Sequence, residues 1–541
     1  MANANRGIVR PLSLLCICAS ALAMLRCSGD QPNAPPQSAP AALSINSTVP
    51  PAGVVGLAYS HSLTASGGTG QYSWSVQSGV LPAGVALSAS GTLSGTPTTV
   101  GSSNFTVTVT SGAQSQSRSY SIIVTAPVPS TLQIVRGHAQ TQIIGLTLPD
   151  SLAVRVQDRR GAALPGTAIR WTVSVNGGTV SAESTITDAD GVASVSWIIS
   201  RSAGTHSVTA NVDAINASLH ATAVGPIDTH SHLNTLPLNA QGLSAAAQDA
   251  AAKVAALGIS RQMIMPPPLP SHPVFNDPAL LQAALQPFSD RLIMAAGGYT
   301  LNPIIHEAFA AGSVTPELRA RFEAAALDLL NRKVSAFGEL AAMHLSLFEG
   351  HPFEDVPADH ELFLRLADIA ASADIALDLH LDPVVADIAL PSQLATPPNP
   401  VMLRANIPPF ERLLAHNRAA RIVWVHLGTD FTGHRSPELV RRLLTTHANL
   451  YISIRQPGPL PPGAAGSLTD GTGRLKATWS AVFRDFPDRF VLGSDHFFPG
   501  PGAHTALPQT IDATMAFLGV LPPDLAYRFG YENARRIYRL E

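Results

Sequence analysis

Two histidines one residue apart, His230 and His232, sit in the stretch Asp228-Thr229-His230-Ser231-His232, at the head of the C-terminal part of the chain. Side chains on a strand alternate between faces, so this pair points one way and can close on a single metal ion. Partners stand at the ends of later apolar runs. Glu339 closes Ala336-Phe337-Gly338-Glu339, His380 closes Leu377-Asp378-Leu379-His380, His426 closes Val423-Trp424-Val425-His426, and Asp495 closes Leu492-Gly493-Ser494-Asp495. Taken singly, a histidine after an apolar run is an ordinary hydrogen-bonded core residue, and Glu339 alone reads as a helix cap. Six such groups at matching ends of five strands are different, because burying them together without a cation is costly.

The donors on offer are imidazole nitrogens and carboxylate oxygens. All three cysteines, Cys16, Cys18 and Cys27, fall in the first 27 residues, so no thiolate ligand exists downstream. That donor set suits a divalent ion, Zn²⁺ first, with Mn²⁺, Fe²⁺ or Ni²⁺ as alternatives, and an open coordination position would hold water.

Something must bring these residues together. After Gly225 the sequence alternates strand and helix, with strand candidates beginning near 226, 260, 291, 334, 374, 421, 450 and 490. Helix starts are marked at Thr315-Pro316-Glu317 and Ser436-Pro437-Glu438, where a hydroxyl cap precedes proline at the first helical position. Eight such repeats predict a (β/α)8 barrel over 225–541, with every candidate ligand at the C-terminal end of its strand, the end where barrel enzymes keep their sites.

Upstream the rhythm is different. Residues 43–126 and 127–224 are short alternating runs between Gly/Pro/Ser turns, such as Asn104-Phe105-Thr106-Val107-Thr108-Val109 and Leu152-Ala153-Val154-Arg155-Val156, and predict two antiparallel β-sandwiches. Asp188 and Asp190 lack the further carboxylates a calcium loop needs and read as turn formers. Residues 28–42 are a Pro-rich spacer. Before it, Arg6 and Arg10 precede an apolar run from Leu12 to Leu25, the pattern of an export signal over 1–27. Cys27 is a candidate lipid-anchor cysteine, although Arg26 and Met24 depart from the lipoprotein pattern. The expected location is exported: a lipoprotein facing the periplasm or outer membrane, or a secreted or cell-surface protein of a bacterium. With a net charge of −3 there is no polybasic face, so nucleic acid is not an expected partner.

Several segments carry family resemblances. Leu81-Pro82-Ala83-Gly84-Val85 through Gly91-Thr92-Leu93-Ser94-Gly95-Thr96-Pro97 resembles an immunoglobulin-like module common in bacterial surface proteins, and Thr187-Asp188-Ala189-Asp190-Gly191 running into a strand resembles the invasin-type bacterial Ig-like domain. These imply that the sandwiches bind cell-surface or extracellular components, or act as spacers. Residues 226–541, including the closing Tyr531-Glu532-Asn533-Ala534-Arg535-Arg536-Ile537-Tyr538, resemble the amidohydrolase superfamily, in particular amidohydrolase family 2. The resemblance implies that His230, His232, His380 and Asp495 are metal ligands. It makes His426 either a second-metal ligand or a catalytic histidine, as in relatives similar to aminocarboxymuconate-semialdehyde decarboxylase. Glu339 departs from the one-metal pattern and resembles the bridging glutamate of TatD-type enzymes, so one ion or two remain open. No carboxylated lysine is expected, because Lys333 lies at the beginning of its strand.

The chemistry implied is hydrolysis of an amide, ester, lactone or phosphoester in a small-molecule substrate, with Asp495 as general base toward a water acidified by the metal. Selectivity is expected from the loops after the strands: Met265-Pro266-Pro267-Pro268, Tyr299, His344, Arg455 facing a substrate carboxylate or a neighbouring loop, and His496. Phe497 and Phe498 read as packing, and His344, His351 and His360 as surface residues. Two alternatives stay in play: a metal-dependent decarboxylase or hydratase of an aromatic or unsaturated acid, and a surface adhesin with an inert barrel.

Overall fold

The computed structural model describes residues 39–235, 239–268, 277–347, 351–395, 398–456, 466–503 and 507–540. The export signal and Cys27 lie outside the described residues, as does most of the spacer. Among the described residues no helix is long and apolar enough to cross a membrane. The chain divides into two units, Met1–Pro127 and Val128–Glu541.

The first unit is a β-sandwich. Its four-stranded sheet runs Gly53–Val54, Gln114–Thr125, Gly101–Ser111, Ser73–Gly79, and a three-stranded sheet is built from Tyr59–Ser62, Thr92–Gly95 and Val85–Leu87. Alternation does the sorting. Phe105, Val107 and Val109 point into the core with Trp74, Leu93 and Ile122, while Thr106 and Thr108 face out and pair across the hairpin with Ser119 and Ser117.

The second unit opens with another sandwich. A five-stranded sheet (Gln140–Ile143, Ile215–Val224, Gly204–Val212, Ala168–Val173, Ser184–Ile186) faces a three-stranded one (Thr131–Arg136, Leu152–Gln157, Val192–Val195) over Leu152, Val154, Val156, Trp171, Trp197 and Leu219. The carboxylate of Asp188 accepts from the backbone N–H groups of Asp190 and Val192, both at 2.9 Å, so it closes a turn as its sequence implies. This sandwich is packed against the C-terminal domain as well as joined to it by the chain. Ile143 belongs to the same buried apolar cluster as Leu518, Leu525 and Phe529, and the fully buried Gln142 donates from Nε2 to the carbonyl of Pro523 at 2.8 Å.

From residue 227 onward the chain alternates strand and helix. The strands are β1 (Ile227–Asp228), β2 (Arg261–Ile264), β3 in two pieces (Leu292–Met294 and Ala296–Gly297), β4 (Ala336–His344), β5 (Ala376–Leu381), β6 (Arg421–Leu427), β7 (Leu450–Ile454) and β8 (Phe490–Leu492). They form a parallel sheet whose order runs from Leu292–Met294 through β2, β1, β8, β7, β6, β5 and β4 to Ala296–Gly297. The path therefore begins and ends on the two pieces of β3, with only Ala295 between them. A second short parallel pair, Ser231–Asn234 with His496–Pro499, extends the ends of β1 and β8. Strands buried on both faces read as continuous apolar runs, which is why their starts are legible. The expected caps form: Thr315 Oγ1 accepts from Leu318 N and Ser436 Oγ from Leu439 N, each at 3.2 Å, at the heads of helices Pro316–Asn331 and Pro437–Thr446.

Strand β4 runs further than the sequence implies. Its end pairs with Glu354–Asp355, which carries His344 into the interior, where its ring packs against His351 and His380. The expectation that His344 lies on the surface is corrected: the extended strand buries it. His360 is half-buried at the N-cap of helix Glu361–Ser372, so it too is not a free surface residue.

Candidate metal centre

Residues at or just past the ends of β1, β5, β6 and β8 meet Glu339, which lies within β4 rather than at its end, and His230, His232, Glu339, His380, His426 and Asp495 form one buried cluster. Glu339 is its centre. Its Oε2 lies 3.4 Å from His230 Nε2 and 3.5 Å from His232 Nε2, while its Oε1 lies 2.8 Å from His380 Nδ1 and 2.8 Å from His426 Nε2. Asp495 Oδ1 closes the first group at 3.2 Å from His232 Nε2, and the two Nε2 atoms of His230 and His232 are 3.2 Å apart. Each oxygen of one carboxylate thus faces its own pair of imidazoles.

Local structure makes this approach. A Cβ on Gly493 would come within 2.9 Å of His230 Cβ, so the residue two before Asp495 cannot carry a side chain without displacing a member of the cluster. His426 and Asp495 both hold left-handed backbone, φ 69° and 53°, a conformation a non-glycine residue adopts at some cost. Asp228 ties strand ends together: its Oδ1 accepts from Ser494 N at 2.8 Å and from His230 N at 3.3 Å.

The electrostatics are set by burial and by the carboxylates facing each ring. Burial works against the charged form of His230, but the Glu339 charge and the Asp378 and Glu339 carboxylates outweigh it and hold its pKa at about 10. Burial likewise opposes charge on His380, and Asp382 and Glu339 raise it to about 9. Burial dominates at His426, leaving that imidazole neutral with a pKa of about 3. Glu339, despite its burial, is held well below the usual carboxylate range by the His230 charge and by hydrogen bonds from His230, His380 and His426. Asp495 is also pulled down against its burial, by Arg455 first and then His426 and His232.

The donor set fits a divalent ion. His232 Nδ1 faces the carbonyl of Met265 at 2.8 Å, and a carbonyl can only accept, so Nδ1 carries the proton and Nε2 offers its lone pair to the cluster. Crowded nitrogens and carboxylate oxygens with no thiolate among them are the ligands zinc and its neighbours take. The triads His230, Glu339, His426 and His230, His232, Asp495 each have ligand atoms within 4.8 Å of one another.

The residues expected to select substrate are placed differently. Arg455 Nη1 lies 3.1 Å from Asp495 Oδ2, so its guanidinium holds a carboxylate of the cluster itself. Tyr299 lines an apolar cavity with Leu233, Met265, Pro266, Pro267 and Leu281, and burial pushes its hydroxyl pKa well up. His496 turns away from the cluster: its Nδ1 accepts from Thr510 N at 3.1 Å and its ring packs on Phe498, whereas Phe497, on the other face of that strand, packs tilted against His232 with ring centres 4.4 Å apart. The two phenylalanines are packing residues, as read.

The sequence reading missed a supporting layer. Asp382 Oδ2 lies 3.4 Å from His380 Nε2 and accepts from Leu345 N at 3.1 Å. Asp378 Oδ2 lies 3.9 Å from His230 Nδ1, and the buried Arg435 stacks on Trp424 with its guanidinium 4.5 Å from the ring centre. Asp378 and Asp382 were visible in principle, since Asp378-x-His380-x-Asp382 puts all three on one face of a strand.

Fold and grouping define an α/β domain with a buried set of donors that could hold a metal ion, and the comparisons name its family. A family model described as Amidohydrolase matches residues 227–540, and the chain belongs to that family, which includes hydrolases and decarboxylases. Upstream, models described as Putative Ig domain and Bacterial Ig-like domain (group 1) match residues 34–125 and 149–224. No curated protein matches the chain. Solved structures similar to it include the D00-D0 domain of Intimin (17% identity, 34% of this chain and 98% of that one, TM-score 0.16). Another is the Yersinia pseudotuberculosis adhesin InvE (16% identity, 34% and 58%, TM-score 0.19).

Proposed function

We propose that residues 225–541 close into a (β/α)8 barrel and act as a hydrolase with two divalent ions, zinc favoured, on an amide, ester, lactone or phosphoester. Closure is supported by a sheet order that starts and ends on the two pieces of β3. The observation that carries the function is the division of Glu339, one oxygen toward His230 and His232 and the other toward His380 and His426.

In this arrangement His230, His232 and Asp495 would hold one ion, His380 and His426 would hold the other, and Glu339 would be available to both. Bound there, the ions supply Lewis acidity, which makes water a usable nucleophile near neutral pH and polarises the substrate's oxygen. The chain's residues do the rest. Asp495 accepts the water's proton on its carboxylate and returns it to the leaving group. Arg455, on Asp495 Oδ2, keeps that carboxylate ionised and aimed. The cavity beside Tyr299 offers an apolar wall for the substrate's non-reacting part. His426 Nε2 lies 2.8 Å from Glu339 Oε1, at the carboxylate the ions would share, which supports the ligand role and with it hydrolysis over decarboxylation.

On the same proposal the protein works outside the cytoplasm, with Cys27 as a candidate lipid anchor and the Ig-like modules as contacts to surface or extracellular material. Two matched Ig-like families on one chain support that location.

The test is metal content of the purified full chain together with turnover on amides, lactones, phosphoesters and aromatic acids. His230→Ala and Asp495→Ala should abolish cleavage while leaving the fold. Unchanged turnover, or release of carbon dioxide from an aromatic acid in place of cleavage, contradicts the reading.

A further inference from the structure

A buried carboxylate that ligates nothing lies directly behind the cluster. Asp378 is the third residue of β5, two before His380, and is fully buried. Its Oδ1 accepts from the hydroxyl of Tyr538 at 2.7 Å. Its Oδ2 has no hydrogen-bond partner, and neither has the Nδ1 of His230, which faces it at 3.9 Å. Two buried polar atoms of complementary type thus face each other just beyond hydrogen-bond range.

We infer that Tyr538 and Asp378 are positioning residues that fix the ring of His230 for metal binding. The inference rests on His230 being a ligand, as proposed above. An imidazole that gives Nε2 to an ion carries its remaining proton on Nδ1, and a buried N–H requires an acceptor. Asp378 Oδ2 is the carboxylate oxygen facing it, and a shift of about 1 Å brings the pair to ordinary hydrogen-bond length. Tyr538 fixes which oxygen is free, because its hydroxyl occupies the other.

Two further features keep this arrangement. A Cβ on Gly338 would meet Asp378 Cβ at 2.8 Å, so the glycine before Glu339 makes room for the carboxylate behind the ligands. Tyr538 ends the helix Asn533–Tyr538, which is anchored independently: Asn533 Nδ2 donates to the carbonyls of Pro487 and Phe490 at 2.9 Å, and Arg421 Nε to that of Ile537 at 2.7 Å. The C-terminal helix therefore delivers a hydroxyl to a residue 160 positions earlier in the chain, and through it to a metal ligand.

The experiment measures zinc affinity of the full chain by competition with a chromophoric chelator, for the unaltered protein and for Tyr538→Phe, Asp378→Asn, Arg421→Lys and His230→Ala. Removing an outer partner of a metal-bound histidine typically weakens binding about 10- to 100-fold. Tyr538→Phe and Asp378→Asn should each weaken one of the zinc equivalents by about that factor and leave the other unchanged. Arg421→Lys loosens the same helix without touching Asp378, and should lower the melting temperature of the metal-free chain without moving either affinity. Equal zinc affinity in Tyr538→Phe, Asp378→Asn and the unaltered chain overturns the inference, as does weakening by Arg421→Lys of the same size. If the unaltered chain takes up no zinc, or His230→Ala takes up as much as the unaltered chain, the ligand reading itself fails and this inference with it.

Discussion

The second sandwich and the amidohydrolase domain share one unit, yet they bury different things. The sandwich interior is Leu152, Val154, Val156, Trp171, Val208 and Leu219, and its buried Asp158 is answered within the chain by Arg160 Nε at 2.9 Å and by the N–H groups of Arg160 and Ala162. The amidohydrolase domain buries four histidines and several carboxylates together, and leaves His230 Nδ1, His426 Nδ1 and Asp378 Oδ2 without a hydrogen bond. In the sandwich the buried carboxylate is paired by its own neighbours. The other interior gathers nitrogen and oxygen donors into groups that could hold a cation, the kind of burial an ordinary core avoids.

The comparison breaks most visibly at Glu339. On the proposed two-ion arrangement, Glu339→Gln should remove the ligand both positions would share and reduce kcat by on the order of 10³-fold or more, measured by steady-state turnover on whichever substrate is cleaved. The sandwiches should respond in the opposite way. Trp74→Ala opens a cavity in the first sandwich and should destabilise that unit by about 3 to 5 kcal/mol while leaving turnover unchanged. Ile143→Asp sharpens the contrast, because Ile143 packs with Leu518, Leu525 and Phe529. It should destabilise the unit Val128–Glu541 by at least about 3 kcal/mol and lower the yield of active enzyme, seen by calorimetry.

Protons give a subtler distinction. The folded pKa values of His230 and His380, about 10 and about 9, lie above their ordinary 6.5, so both are charged near neutrality in the metal-free chain. Their pairing stabilises that chain fully below about 6.5 and fades as pH rises toward 9 to 10. Ligation requires the neutral rings, so zinc uptake at pH 7 should expel about two protons, and affinity should rise with pH across that range. Calorimetry in buffers of different ionisation enthalpy reads the proton number. The smallest effect belongs to the surface: Lys253→Ala removes an exposed pair with Asp512 and should change stability by less than about 1 kcal/mol with no effect on metal content.

What the sequence revealed depends on the physics of each feature. The eight strand starts and the six clustered residues were legible because parallel strands buried on both faces are apolar runs, and a polar residue ending such a run stands out. Asp378 and Asp382 were legible only through their spacing with His380, whereas Tyr538 gave no signal at all, since nothing local links it to a carboxylate 160 residues away. His344 was misjudged because β4 continues into an antiparallel pairing with Glu354–Asp355 that no periodicity announces. His496 was readable in hindsight: next to Asp495 on a strand, it faces the other way. The seating of Ile143 against the C-terminal helices was invisible for the reason Tyr538 was, a contact between distant segments with ordinary apolar residues on both sides.

The most direct measurement is elemental analysis of the purified full chain beside its Glu339→Gln variant. Two divalent ions per unaltered chain, with most of that metal lost in the variant, is the predicted result. A metal-free unaltered chain that still turns over substrate, or a variant that keeps the full complement, would contradict the account.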